Sequence, residues 1–83
     1  MHKLLIERRA ERELSELSPS MRLRIARAIA GLRENPRPAG CRKLVGSESD
    51  WRIRVGEYRV VYEIDVRTVV RVFRIRHRKD AYK

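Results

Sequence analysis

Three arginines, Arg52, Arg54 and Arg59, interrupt the stretch "DWRIRVGEYRVVYEID", whose other residues suit two half-buried strands. A guanidinium is planar and permanently charged, and it grips phosphate or carboxylate through two parallel hydrogen bonds. Arginines sharing one face therefore make a phosphate cradle. Aimed at a phosphoryl group attacked by a neighbouring 2′-hydroxyl, they would stabilise the charge that develops on its oxygens and on the leaving 5′-oxygen. They cannot take up a proton, because arginine stays charged below about pH 12. His77 and Tyr82, near the end of the chain, are the groups that can exchange a proton or stack on an unpaired base. Between Arg71 and Lys79 there is no acidic residue, and Arg74, Arg76, Arg78 and Lys79 extend the basic run.

Whether these groups share a face depends on strand register. Gly56-Glu57 between Val55 and Tyr58 reads as a two-residue hairpin turn with glycine first. Val55 then faces Tyr58, Arg54 faces Arg59 and Trp51 faces Tyr62. Alternation puts Trp51, Ile53, Val55, Tyr58, Val60 and Tyr62 on a core face, and Arg52, Arg54 and Arg59 on the other. Like charges directly opposite each other destabilise a strand pair, so Arg54 against Arg59 breaks a rule that a purely structural sheet respects. Glu63 is the expected offset. A two- or four-residue loop near residues 65–68 brings Arg74, Arg76 and Arg78 to the same face, and a three-residue loop inverts them.

The elements that must position this face fit in 83 residues, enough for one domain spanning residues 1–83 with a modest core. Residues 4–6 form a short apolar strand. Ala10, Leu14 and Leu17 mark one helix face, and Ser18-Pro19 starts a second helix with Met21, Ile25, Ile29 and Leu32 as its stripe. "NPRPAG" at residues 35–40 ends the helical half. Strands follow at residues 43–45, 51–55, 58–64 and 69–76. Helices grouped before an antiparallel sheet give an α+β fold, a helical hairpin packed on one sheet face.

Composition narrows the function. Twenty-one Lys and Arg against 11 Asp and Glu leave a net charge of +10, a field that attracts nucleic acid or another polyanion. Apolar content of 42% and charged content of 39% exclude a disordered chain and a membrane-embedded one. No apolar run approaches a membrane span and no signal pattern opens the chain, so the expected location is the cytoplasm. One cysteine, Cys41, precludes an internal disulfide. His2 and His77 have no metal-ligand spacing, so neither metal nor cofactor is expected.

"KLVGSESDWRIRVGEYRVVYEID" with "RIRHRKDAY" closely resembles the RelE/ParE superfamily of toxin–antitoxin toxins, and the likeness spans essentially the whole chain. The resemblance implies a twisted, mainly antiparallel sheet of four to five strands with two helices on one face. It also implies a cognate antitoxin that covers the basic surface. RelE-type members cleave mRNA in the ribosomal A site, leaving a 2′,3′-cyclic phosphate, whereas ParE-type members inhibit DNA gyrase. The RelE-type cluster carries over to Arg52, Arg54, Arg59, Arg78 and Tyr82. Some RelE-type members have lysines at the positions of Arg52 and Arg54. The expected function is thus a metal-independent, ribosome-dependent endoribonuclease, with ribosome, mRNA and antitoxin as partners and no small-molecule substrate. A ParE-type gyrase inhibitor and a non-catalytic RNA-binding domain are the alternatives.

Overall fold

The computed structural model describes residues 2–46, 49–65 and 69–79. Among the described residues seven elements follow in order: β1 (Lys3–Ile6), α1 (Arg8–Ser15), α2 (Pro19–Gly31), β2 (Arg42–Lys43), β3 (Asp50–Val55), β4 (Tyr58–Ile64) and β5 (Val69–His77). The strands form one five-stranded sheet in the order β1-β5-β4-β3-β2. β1 runs parallel to β5, and every other pair is antiparallel. This is the expected α+β architecture, with the first strand placed beside the last.

Local chemistry accounts for most of the boundaries. The Ser18 hydroxyl accepts the Met21 N–H at 3.4 Å and Pro19 occupies the first turn, so α2 begins where its cap and proline dictate. α1 stops at Ser15, two residues short of the end of the expected stripe, yet Leu14 and Leu17 still pack on the core. The strand expected at 43–45 is Arg42–Lys43 instead. Gly46 has φ +85°, and the chain turns there before a longer pairing can form. The hairpin between β3 and β4 has the expected register, with Val55 opposite Tyr58 and Arg54 opposite Arg59. Gly56 has φ +59°, and a Cβ there would come 3.2 Å from Met21 Cε. The positive φ of the turn favours glycine, and any Cβ there would require the Met21 side chain to give by a few tenths of an ångström.

The core lies between the helices and one sheet face. Ala10, Ile25, Ile29 and Leu32 meet Ile53, Val60, Tyr62, Val70, Val72 and Ile75, all buried. Each larger apolar side chain contributes about 1.5–3 kcal/mol by leaving water. The linker after α2 is pinned to this core at two points. The buried Tyr62 hydroxyl donates to the Pro36 carbonyl at 2.6 Å, and the Arg37 guanidinium lies 5.1 Å from the centre of the Trp51 ring.

The register of β5 differs from expectation. Ile64 faces Val70, Tyr62 faces Val72 and Glu63 faces Arg71, the parity of an odd loop. Uncorrected, that parity would turn Arg74 and Arg76 into the core. A bulge between Tyr62 and Val61 corrects it, since Val61 faces Arg74 and Tyr62 faces Val72, leaving Phe73 as the extra residue. Beyond the bulge, Ile75 faces Val60 and Arg76 faces Arg59. The arginines do reach the expected face, through a bulge and not through loop length.

Candidate nucleic-acid interface

The helices and core occupy one side of the sheet. On the other side, Arg54, Arg59 and Arg76 stand directly opposite one another across β3, β4 and β5. The next row carries Arg52, Val61 and Arg74, and Arg42 of β2 stands opposite Arg52. Three guanidinium groups in adjacent register repel, which makes the row poor as architecture and apt for an anion. The Nε atoms of Arg59 and Arg76 are shut off from solvent, so their guanidiniums are held at the sheet surface and do not sweep freely.

Arg78 joins this row from beyond β5. Its N–H donates to the Glu57 carbonyl at 2.7 Å, and its Nε lies 3.1 Å from Glu57 Oε2. The two contacts tie the end of β5 to the β3–β4 turn. A hollow of about 630 Å³ opens there, lined by Arg54, Glu57, Tyr58, Arg59, Arg78 and Lys79. Arg54, Arg59, Arg78 and Lys79 are thus brought together, and Arg52 lies along the same face towards β2.

Other expected members are placed differently. Arg74 is on the arginine side of the bulge but engages Glu13 of α1, through Nη2 to Oε2 at 2.9 Å and Nε to Oε2 at 3.2 Å. Glu13 Oε1 also accepts the Ile75 N–H at 2.8 Å. β1 pairs with β5 only as far as Val72, so Glu13 satisfies a backbone donor that β1 does not reach. His77 does not join the arginine cluster. It pairs with Tyr58 on the helix side, ring centroids 5.2 Å apart and edge to face, and its Nδ1 accepts the Lys79 N–H at 3.2 Å. The cause is strand alternation after Arg76. Tyr82 lies outside the described residues. Glu63 does not offset the Arg54–Arg59 pair, because it bonds Arg71 at 2.7 Å at the far end of β4. That bond is the main reason the Arg71 pKa is raised, with Glu7 adding to it 3.5 Å away.

Phe73 is the residue that pattern reading passed over. With Leu44 and Val61 it lines a hollow of about 280 Å³ bordered by Arg52, Arg59, Arg74 and Arg76. A signal was present in the sequence. Apolar residues fall at 70, 72, 73 and 75, and the arginines step from 71 to 74, so the period of two breaks at Phe73. Among the described residues, no group of His, Cys, Asp and Glu side chains is arranged to hold a metal ion. No described helix is long and apolar enough to cross a membrane.

A two-helix layer on this mixed sheet, with a basic outer face, defines a RelE-like toxin fold. A chain of the intact E. coli RelBE toxin–antitoxin complex superposes with a TM-score of 0.77 at 26% identity, covering 90% of this chain and 94% of that one. The RelB–RelE complex from Methanococcus jannaschii gives a TM-score of 0.80 at 25% identity over 95% of each chain. A Methanocaldococcus jannaschii relative designated as a RelE1 toxin is 32% identical over 94% of this chain and 91% of its own length. The family model for the ParE toxin of the type II toxin–antitoxin system parDE matches residues 4–82. The chain therefore belongs to the RelE/ParE superfamily of type II toxin–antitoxin toxins.

Proposed function

We propose that this toxin is a ribosome-dependent endoribonuclease that cleaves mRNA and so inhibits translation. The observation that carries the reading is the Arg54–Arg59–Arg76 row on a sheet face away from the helices, with Arg52 beside it and Arg78 at its end. In this reading Arg52, Arg54 and Arg59 hold the phosphates flanking the scissile bond. Arg78 stabilises charge on the phosphoryl oxygens as the 2′-hydroxyl attacks, and Arg76 and Lys79 extend the cradle. Removing one such donor from a preorganised site typically lowers turnover about 10²–10³-fold. The nucleophile is the substrate's own hydroxyl, and the described arginine face supplies charge and no base. His77 sits on the opposite face of β5, so proton transfer at the cradle falls to Tyr82 or to ribosomal RNA. Tyr82 also keeps its expected role of stacking on a base.

The partner in this reading is an antitoxin that covers the basic face, as its charge of +10 favours an acidic partner. The RelE neighbours named above were solved as complexes with RelB. The cytoplasm, where ribosomes and mRNA are met, is the corresponding location.

A second reading, gyrase inhibition without chemistry, is favoured by the match to the ParE family model. One paired assay separates the two. Programmed ribosomes incubated with the protein should yield mRNA cut in the A site and ending in a 2′,3′-cyclic phosphate, while gyrase supercoiling proceeds. Intact mRNA with stalled supercoiling would sink the nuclease reading.

A further inference from the structure

We infer that Phe73 is the floor of a base-binding subsite within the arginine face, distinct from the stacking role expected of Tyr82. The inference rests on the nuclease reading above.

Five aromatic residues occur in the chain. Trp51, Tyr58 and Tyr62 pack with the core on the helix side. Phe73 is the aromatic residue that the described residues place on the arginine side. It arrives there through the bulge, which sends two successive residues, Phe73 and Arg74, to the same face. Bulges re-aim side chains in this way next to active sites. Of the two, Arg74 is drawn aside by Glu13 at 2.9 Å, so its charge is directed towards α1. Phe73, half-buried, forms with Val61 and Leu44 an apolar floor bordered by Arg52, Arg59, Arg74 and Arg76.

An apolar floor ringed by guanidiniums is complementary to one ligand class in particular. A nucleotide of single-stranded RNA has a flat, weakly hydrated base flanked by phosphates. Sheet-surface aromatics take such unpaired bases by stacking, and the interaction tolerates any base because each has a π-face. An acidic protein segment would satisfy the arginines but has no need of an aromatic floor. Phe73 would fix the position of one nucleotide relative to the Arg54–Arg59–Arg78 end of the cradle, and so would govern which phosphate is presented for attack.

The test pairs Phe73→Leu, which keeps an apolar side chain of similar size without the ring, with programmed ribosomes. Their mRNA carries an abasic nucleotide at each A-site position in turn, and unfolding curves establish that the variant folds. Phe73→Leu is expected to lower kcat/KM about 5- to 150-fold on intact mRNA, the range for losing one stacked base. At one position the abasic substitution should produce a loss of the same size in the wild type and no further loss in the variant. 2-Aminopurine placed at that position should be quenched by the wild type and not by the variant. Equal cleavage by wild type and Phe73→Leu would overturn the subsite alone and leave the hollow as a seat for a protein side chain. A defect in the variant that persists undiminished at every abasic position would likewise overturn it. If the wild type cuts no mRNA on the ribosome, the nuclease reading falls and the subsite falls with it.

Discussion

In the proposed nuclease reading, Arg54 and Arg59 set stability against function at the level of a single contact. They stand directly opposite each other across β3 and β4, and Glu63, the expected offset, is engaged by Arg71. Arg54→Gln should therefore raise stability by about 0.2–1 kcal/mol as the cross-strand repulsion is relieved. The same change should lower mRNA cleavage by about 10²-fold or more. Denaturant midpoints and a ribosomal cleavage assay on one preparation would check both, and a stability loss accompanying unchanged cleavage would refute the cradle. Tyr62 is the opposite case, a polar group serving only the fold. Burial, reinforced by the adjacent Cys41, pushes its phenol pKa well above the ordinary value. Below about pH 10 the folded and unfolded chains both keep the proton, and above it the unfolded chain releases its proton first. Stability should thus fall as pH rises past about 10. Tyr62→Phe should flatten that dependence, while costing about 1–3 kcal/mol near neutrality because the Pro36 carbonyl loses its donor. Urea titrations at both ends of the range measure this.

Among the elements, β5 decides the geometry of the interface. The hairpin of β3 and β4 was legible in advance, because the two-residue turn at Gly56 fixes the register and alternation does the rest. The parity of β5 was not legible from loop length. The pairing near Val70 has one parity and the bulge at Phe73 resets it before Arg76, while loop residues 66–68 lie outside the described residues. His77 was misplaced for a related reason, since proximity to Arg76 and Arg78 in the chain means the opposite face in a strand. Neither could the pairing of Arg74 with Glu13, residues far apart in sequence, be read from spacing. Glu13 holds α1 to the part of β5 that β1 leaves uncovered. Glu13→Ala leaves the Ile75 N–H and a half-buried Arg74 without that carboxylate, and should destabilise the protein by about 1–3 kcal/mol. Thermal unfolding tests it, and hydrogen exchange at Ile75 should lose protection ahead of Val60 in the centre of the sheet.

At the scale of the whole molecule, a chain of net charge +10 carries a row of arginines on the outer sheet face, and the apolar core lies under the helices on the other face. A face of this kind binds RNA largely by releasing counterions, so affinity should fall steeply with salt. Each phosphate contact removed should reduce the log–log slope by about 0.7 for a single strand. Arg59→Gln should show that decrement in a salt titration of binding to mRNA-programmed ribosomes. Arg71→Gln, at the far end of β5 and paired with Glu63, should not.

The sequence alone determined the layer order, the β3–β4 register and the sidedness of Arg52, Arg54 and Arg59. These follow from local rules: a glycine turn, a capped helix start and the period-two alternation of a strand. Only the tertiary structure decided which cations of β5 face outward, that Arg74 is drawn to α1, that His77 leaves the arginine face, and that Phe73 joins it. Each depends on where β5 meets β1, β4 and α1, contacts between segments distant in the chain. A bulge is set by such neighbours, because one extra residue is tolerated only where packing keeps Val72 and Ile75 buried on either side of it.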